Sequence, residues 1–352
     1  MYRGMKSVFR YIIVICFLVA LPIFATGEEK KADSENINIP KIIFSHIEDE
    51  YWWHITDIGD KSISLPLPVI VYSSNSGLNI FMSSKLEDGK EYNGLVIGNE
   101  ESGHKGKIIE SLTGERPLVD ISITKNVLSI MFSAILLVLI ILLTARWYKK
   151  HDALNESPSG IAGVMEPIIM MVHGIAKDNI GEEEYRKYSP YLITVFLFIL
   201  LNNLMGIIPV FPGGANVTGN IAVTLILSLL TFLIVNLRGT KHYYKEIFNP
   251  DVPGLLKPVM SVIETFSAFM KPLSLTIRLF ANMLAGHIQI LCIVSLIFVM
   301  AKYGSLLFGS MTVVSVAFGI FLDLLEILVS FIQAYVFTML SSIYIGIARQ
   351  RH

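Results

Sequence analysis

The chain has 352 residues, of which 53% are hydrophobic and only 16% are Asp, Glu, Lys or Arg, and its mean hydropathy is +0.59. Soluble globular chains carry about a quarter charged residues, so this composition points to a protein embedded in a bilayer. A formal net charge of −1 gives no basis for nucleic-acid binding, and two cysteines inside apolar runs, Cys16 and Cys292, exclude a disulfide framework.

Residues 1–26 read as a secretory signal: Arg3, Lys6 and Arg10 form a basic start, residues 11–21 an apolar core, and residues 22–25 a small-residue exit. The apolar core is shorter than the roughly 20 residues that a hydrocarbon layer of about 30 Å requires, which favours a signal over a first membrane helix. Residues 27–125 then form the one conventionally polar region. Short runs over 62–72, 78–82, 92–97, 107–112 and 118–123 are separated by Asn-Ser-Gly, Asp-Gly and Gly-Asn turn signals, which predicts a small β-rich domain. Cleavage of the signal on the outer side would make that domain periplasmic.

A membrane domain is predicted over 126–352, with about five transmembrane helices. Residues 126–145 carry no charge and run into Arg146, Lys149 and Lys150, a positive and hence cytoplasmic end. Residues 160–179 are mixed and predict an amphipathic helix on the cytoplasmic surface. Residues 188–237 are fifty positions without a charge, broken by Pro209, Pro212, Gly213 and Gly214, and predict two spans with a periplasmic hairpin near 210–219. The second span ends at Arg238, Lys241 and Lys245, and turn chemistry at Asn249-Pro250 and Pro253-Gly254 returns the chain to the membrane. Two long apolar segments follow, 259–301 and 305–348, the latter ending at Arg349 and Arg351. A continuous helix over the first would measure about 64 Å at 1.5 Å per residue, twice the hydrocarbon core. It must tilt steeply or break, with Pro272 as one place to break. The fold class expected is therefore an all-α polytopic membrane protein with two long, steeply tilted C-terminal helices behind a small β-rich domain.

A charge at the centre of a lipid-embedded helix costs at least about 2.5–3.5 kcal/mol and normally faces protein or water. Here the charges align. Glu264, Lys271 and Arg278 recur every seven residues, a spacing that drifts by only about 20° per heptad. Ser267, Ser274, Asn282 and Gln289 fall within roughly 60° of that stripe. In the second segment Asp323, Glu326, Ser330, Gln333, Ser341 and Tyr344 form another. Interhelical hydrogen bonding accounts for most of the serines. It accounts poorly for Arg278, His287 and Glu326, because titratable groups are rarely desolvated for packing alone. A desolvated lysine can lose its proton, whereas a guanidinium stays charged. Arg278 therefore suits an obligate cation, and histidine and glutamate suit proton carriers.

The run Glu264-x-x-Ser267-x-x-x-Lys271-Pro272-x-Ser274-Leu275-x-x-Arg278-Leu279-Phe280-Ala281-Asn282-Met283-x-Ala285-Gly286-His287 closely resembles the signature of subunit a of F-type ATP synthases. So does Glu326-x-x-x-x-x-x-Gln333-Ala334. Asn203-Leu204-Met205-Gly206-x-x-Pro209, Thr218-Gly219-Asn220-x-x-Val223-Thr224 and Asn249-Pro250 support it. The resemblance covers about 125–352 and implies the stator part of a membrane motor pressed against a rotating ring of carboxylate-bearing hairpins. It implies that Arg278 is the essential arginine, facing the c-ring carboxylate between two offset half-channels. His287 and Glu326 stand where many members carry a glutamate and a histidine in the opposite order, which still supplies one acid and one imidazole for a relay of H+. Gln333 matches the glutamine beside the arginine, and Asn282, Ser274 and Glu264 join the proton pathway. The partners implied are the c-ring, the subunit b stalk, the remaining F1Fo subunits and membrane lipid, in a bacterial inner membrane with the C-terminus cytoplasmic. No cofactor, metal or nucleotide loop is expected, so the chain is not an enzyme by itself.

His287 follows Arg278 by nine residues and Glu326 precedes Gln333 by seven. One antiparallel register therefore brings Arg278 near Gln333 and His287 near Glu326. Nine residues turn about 900° on a helix, placing His287 on the opposite face from Arg278; an arginine facing the ring and a histidine facing a channel satisfy both. Gly206 stands where some members carry an acid, which shifts that part of the inlet to Asn202, Asn203 or water. The cluster His46-x-x-Asp49-x-Tyr51-Trp52-Trp53-His54 offers two readings, a metal site or a packed aromatic strand pair, and the second is preferred because the cluster lacks a recognisable ligand spacing. Two rival functions are weaker. A proton-coupled secondary transporter would show repeated halves, which 126–237 and 259–348 do not. An intramembrane metal hydrolase would need an H-E-x-x-H-like spacing, which is absent.

Overall fold

A computed structural model describes residues 49–58, 61–99, 102–152, 156–208, 213–254, 256–301 and 304–349. The segment read as a signal, together with Cys16, His46, Pro209 and Pro212, lies outside the described residues.

The N-terminal part is a β-domain built from hairpins. Strands β1 (Trp52–Ile58) and β2 (Lys61–Pro66) pair antiparallel. Strands β3 (Pro68–Ser73) and β4 (Gly77–Met82) form a second hairpin, and β7 (Val119–Asp120) adds to β3 to give the order β4-β3-β7. A third pair joins β5 (Leu95–Ile97) to β6 (Ile108–Glu110). The run expected as one strand over 62–72 is two. Pro66 and Pro68 flank Leu67, and proline has no N–H to continue a ladder. The free Leu67 N–H instead donates to Tyr51 O at 3.3 Å and to Ser83 Oγ at 3.0 Å. The expected strand over 92–97 is likewise shortened, because Asn93 (φ 53°) and Gly94 (φ 75°) form a tight turn that pairs Tyr92 with Leu95. The β3–β4 turn falls at the Asn-Ser-Gly signal, with Gly77 at φ 70°. Alternation buries Val69, Val71 and Phe81 with Tyr51, Leu86, Leu95 and Ile108 in one core. The Tyr51 hydroxyl donates to Asp120 at 2.6 Å; burial, reinforced by that bond, holds the phenol above its usual range.

Seven helices follow among the described residues, starting with α1 (Lys125–Lys150), α2 (Gly160–Ile180), α3 (Tyr185–Ile207) and α4 (Ile221–Leu237). The chain then forms α5 (Lys241–Phe248), α6 (Lys257–Ala301) and α7 (Ser305–Arg349). Helices α1, α2, α3, α6 and α7 are long and apolar enough to cross a membrane. Helix α4 meets α5 at a bend of 102°, making up to six spans. The β-domain caps α1 directly. Asp49 accepts from the Asn126 N–H at 3.0 Å and from the Thr124 hydroxyl at 2.9 Å, satisfying a donor that every helix N-terminus leaves open.

Helices α6 and α7 have 45 residues each and run unbroken, α6 straight through Pro272. At about 1.5 Å per residue each reaches roughly 68 Å, more than twice the hydrocarbon core. They form an antiparallel hairpin, with α3 packed on α7 and α4 on α6. The shared core takes Leu192, Phe196 and Ile199 from α3, Leu275 and Leu279 from α6, and Phe337 and Ile345 from α7. Hydroxyls bind the helices as expected: Ser228 meets Thr276 at 2.6 Å, Tyr191 meets Thr231 at 2.7 Å, and Ser342 donates to Ile175 O at 3.2 Å. At one end of the bundle Arg349 pairs with Glu184 and donates to Arg238 O at 2.9 Å, while the Thr240 N–H donates to Ala348 O at 2.9 Å.

Candidate functional site

Helix α6 has two chemically different faces. Leu275, Leu279 and Met283 are buried against the bundle. Arg278 is exposed on the other side, in line with Ser274, Ala281, Ala285 and Gln289 by the helical period. Two alanines beside the arginine keep this stripe low. Among the described residues Arg278 makes no ion pair. Across the seam Arg278 acts electrostatically on Tyr344 of α7, and the ammonium of Lys271, on the same helix as Arg278, lies 5.5 Å from the centre of that ring. Lys271 and Tyr344 also line a small, partly open cleft between α4, α5, α6 and α7, together with Ser228, Asn236 and Tyr243. Glu264, two turns earlier, is half-buried and acts electrostatically on Lys271 and Tyr243.

Across the hairpin, Asn282 Nδ2 donates to Gln333 Oε1 at 3.3 Å. The partner that Gln333 bonds is thus Asn282, which sits four residues, one turn, after Arg278 on the same helix. Further along, the Glu326 carboxylate rests against Gly286, where a Cβ would come within 2.7 Å of Oε1. His287 is next in the chain and turns towards α3, where its Nε2 lies 3.3 Å from the position a Cβ would take on Gly206. Arginine and histidine therefore point to different sides of α6. No hydrogen bond joins His287 to Glu326 among the described residues; the two flank one helical turn from neighbouring positions.

This inner side is polar and under-satisfied. Nε2 of His287, both carboxylate oxygens of Glu326, Nε2 of Gln333, Oγ of Ser330, Oδ1 of Asn202 and Nδ2 of Asn203 and Asn216 are buried without a hydrogen-bond partner. Each such group costs about 1–3 kcal/mol, more when charged. Buried polar groups are nearly always paired, with protein or with water. Asn203 is held from one side by the Thr218 hydroxyl, which donates to its Oδ1 at 2.7 Å. The sequence did not single out Thr276, whose partner Ser228 is remote in the chain, or Asn216; Trp53 was read only as part of an aromatic strand pair, and its contacts with Ala215 and Val217 are likewise remote. Among the described residues no group of His, Cys, Asp and Glu side chains could hold a metal ion.

The fold and site define a class: a polytopic helical membrane protein whose two longest helices share a buried polar seam and carry one outward arginine. The family described as ATP synthase A chain matches residues 128–346, and a domain of unknown function matches residues 42–126. The chain is 44% identical over 234 residues to ATP synthase subunit a of Chlorobium phaeobacteroides (strain BS1), covering 65% of this chain and 66% of the relative. It is 46% identical over 235 residues to ATP synthase subunit a 2 of Chlorobaculum tepidum, covering 65% and 64%. To ATP synthase subunit a of Myxococcus xanthus it is 38% identical over 237 residues, covering 65% and 74%. It spans just under two thirds of the length of the first two. The chain belongs to the ATP synthase A chain family.

Proposed function

We propose that the chain is the ion-conducting stator subunit of an ATP synthase membrane sector, with H+ as the coupling ion. The observation that carries this reading is the contrast between Arg278, exposed on the outer side of α6, and an inward row of buried, unpartnered groups from α6 (His287) and α7 (Glu326, Ser330 and Gln333). A fixed cation on a face lined by alanines is useful to a carboxylate that slides past on another subunit. Opposite Arg278 that carboxylate is held ionised; away from it, in lipid, it must take up a proton, because an unpaired charge there is too costly. The inward row supplies that proton. His287 or Glu326 accepts one from the outer aqueous side and hands it to the carboxylate, restoring its own state, while the Lys271–Tyr344 cleft gives release to the other side. The guanidinium stays charged throughout and blocks direct passage. Gln333, Asn282, Ser274 and Glu264 line and position this path.

In this reading α6 and α7 lie steeply tilted, since helices of about 68 Å cannot stand upright in a core of about 30 Å. Helix α2 lies along the cytoplasmic surface, the β-domain is periplasmic behind a cleaved signal, and the basic ends of α1 and α7 face the cytoplasm. The chain holds no nucleotide chemistry; a c-ring, a subunit b stalk and the remaining F1Fo subunits complete the machine. Family membership favours this over a proton-coupled transporter. Affinity purification from the host membrane tests the assembly directly. It should bring down a small hairpin protein with a membrane-buried carboxylate and soluble ATPase subunits; purification of the chain alone under conditions that preserve known membrane complexes would contradict it.

A further inference from the structure

Trp53 lies in β1, outside the stretch that matches the ATP synthase family, yet it is 2% exposed and packs on Ala215 and Val217 of the loop between α3 and α4. Leu128 and Ile130 of α1 and Val223 of α4 close the same cluster. After the residues outside the description, the loop resumes at Gly213 and Gly214, the latter at φ 76°, a backbone conformation that glycine adopts without strain. Two bonds tie it to the end of α3. The Gly214 N–H donates to Met205 O at 3.1 Å, and Thr218 to Asn203 at 2.7 Å. Beside those bonds sits Gly206. A Cβ there would lie 3.5 Å from the carbonyl oxygen of Ala215 and 3.3 Å from Nε2 of His287. Trp53 thus braces the residue that, with Gly206, bounds the space beside the imidazole.

A second contact fixes the same domain at the same end of the bundle. Asp49 caps α1, and the Lys125 N–H donates to Glu50 O at 3.0 Å. The Lys125 side chain interacts electrostatically with Asp49 and Glu50 on one side and with His287 on the other. The titratable groups around His287 therefore come from α1 (Lys125) and α7 (Glu326, with Asp323 acting on it), while α3 presents Asn202, Asn203 and Gly206.

We propose that the β-domain is the outer wall of the ion path to His287, and that Trp53 is a positioning residue holding the α3–α4 loop against Gly206 and the imidazole. This rests on the reading of His287 as a proton carrier.

The test uses the whole complex in host membranes, comparing Trp53→Ala, Trp53→Phe and Arg278→Ala. Passive proton flow is measured in inverted vesicles stripped of the soluble ATPase, as a function of pH and per assembled complex. Trp53→Ala should lower flow about five- to tenfold, the size of effect that about 1–1.4 kcal/mol produces, and should displace its pH profile. Trp53→Phe, which keeps an aromatic brace, should restore most of both. Flow and profile unchanged in Trp53→Ala, or a loss that follows only the amount of assembled complex, would overturn the proposal. Where Trp53→Ala fails to accumulate, Val217→Ala in the same cluster carries the same expectation and the same refutation. If Arg278→Ala abolishes coupling while Trp53→Ala changes nothing, the wall is wrong and the stator reading stands; if Arg278→Ala stays coupled, the stator reading itself falls.

Discussion

Gly286 and Glu326 meet across the α6–α7 interface so closely that a Cβ on the glycine would lie 2.7 Å from Oε1 of the glutamate. The contact sets the carboxylate, 7% exposed, beside the turn that carries His287. Gly286→Ala should therefore push it aside at a cost of about 1–3 kcal/mol. ATP-driven proton pumping in inverted vesicles is expected to fall about tenfold or more, with the complex still assembled. Unchanged pumping would show that the position of Glu326 is not critical.

The Asn282–Gln333 bond is the one polar side-chain bond that spans the α6–α7 seam among the described residues. Such interhelical bonds couple by about 0.6 kcal/mol on average in membrane bundles. Asn282→Ala and Gln333→Ala should each lower the heat stability of the detergent-solubilised complex, and the double variant should lose less than the two single losses combined. Strict additivity would mean that the bond contributes nothing to the hairpin.

Arg349 closes the opposite end of the bundle by pairing with Glu184 while donating to the carbonyl of Arg238. Two nitrogens reach the two carboxylate oxygens of Glu184, a fork that lysine cannot reproduce. Arg349→Lys is therefore expected to destabilise the subunit by about 1–3 kcal/mol while proton flow per assembled complex is unaltered. Protease sensitivity of the α2–α3 junction in vesicles reads the loosening. Equal stability of the lysine variant would reduce the contact to an ordinary surface pair.

Much of this was legible in the sequence because a bilayer enforces it. Long charge-free runs had to be helices, and charges surviving inside them at heptad spacing had to share a face. Spacing also gave the antiparallel sense of the final hairpin. It gave the meeting of Glu326 with the turn that carries His287, whereas the side-chain bond of Gln333 goes to Asn282, one turn along the helix from Arg278. Pro272 offered a break that α6 does not take, since neighbouring helices hold it on both sides. In the β-domain, proline and Asn-Gly chemistry divided runs that hydrophobicity alone had joined. The contact of Trp53 with Ala215 was out of reach because nothing in either local pattern points to the other; it exists only once the domain is seated on α1 through Asp49.

Arg278 is exposed on an alanine-lined face with no ion pair among the described residues, and His287 and Glu326 lie on the inner side. Replacing it tests the account most directly. In host membranes carrying Arg278→Ala, with the complex assembled and its soluble ATPase active, ATP-driven proton pumping and proton-driven ATP synthesis should both vanish. Coupled ATP synthesis retained in that variant would contradict the account.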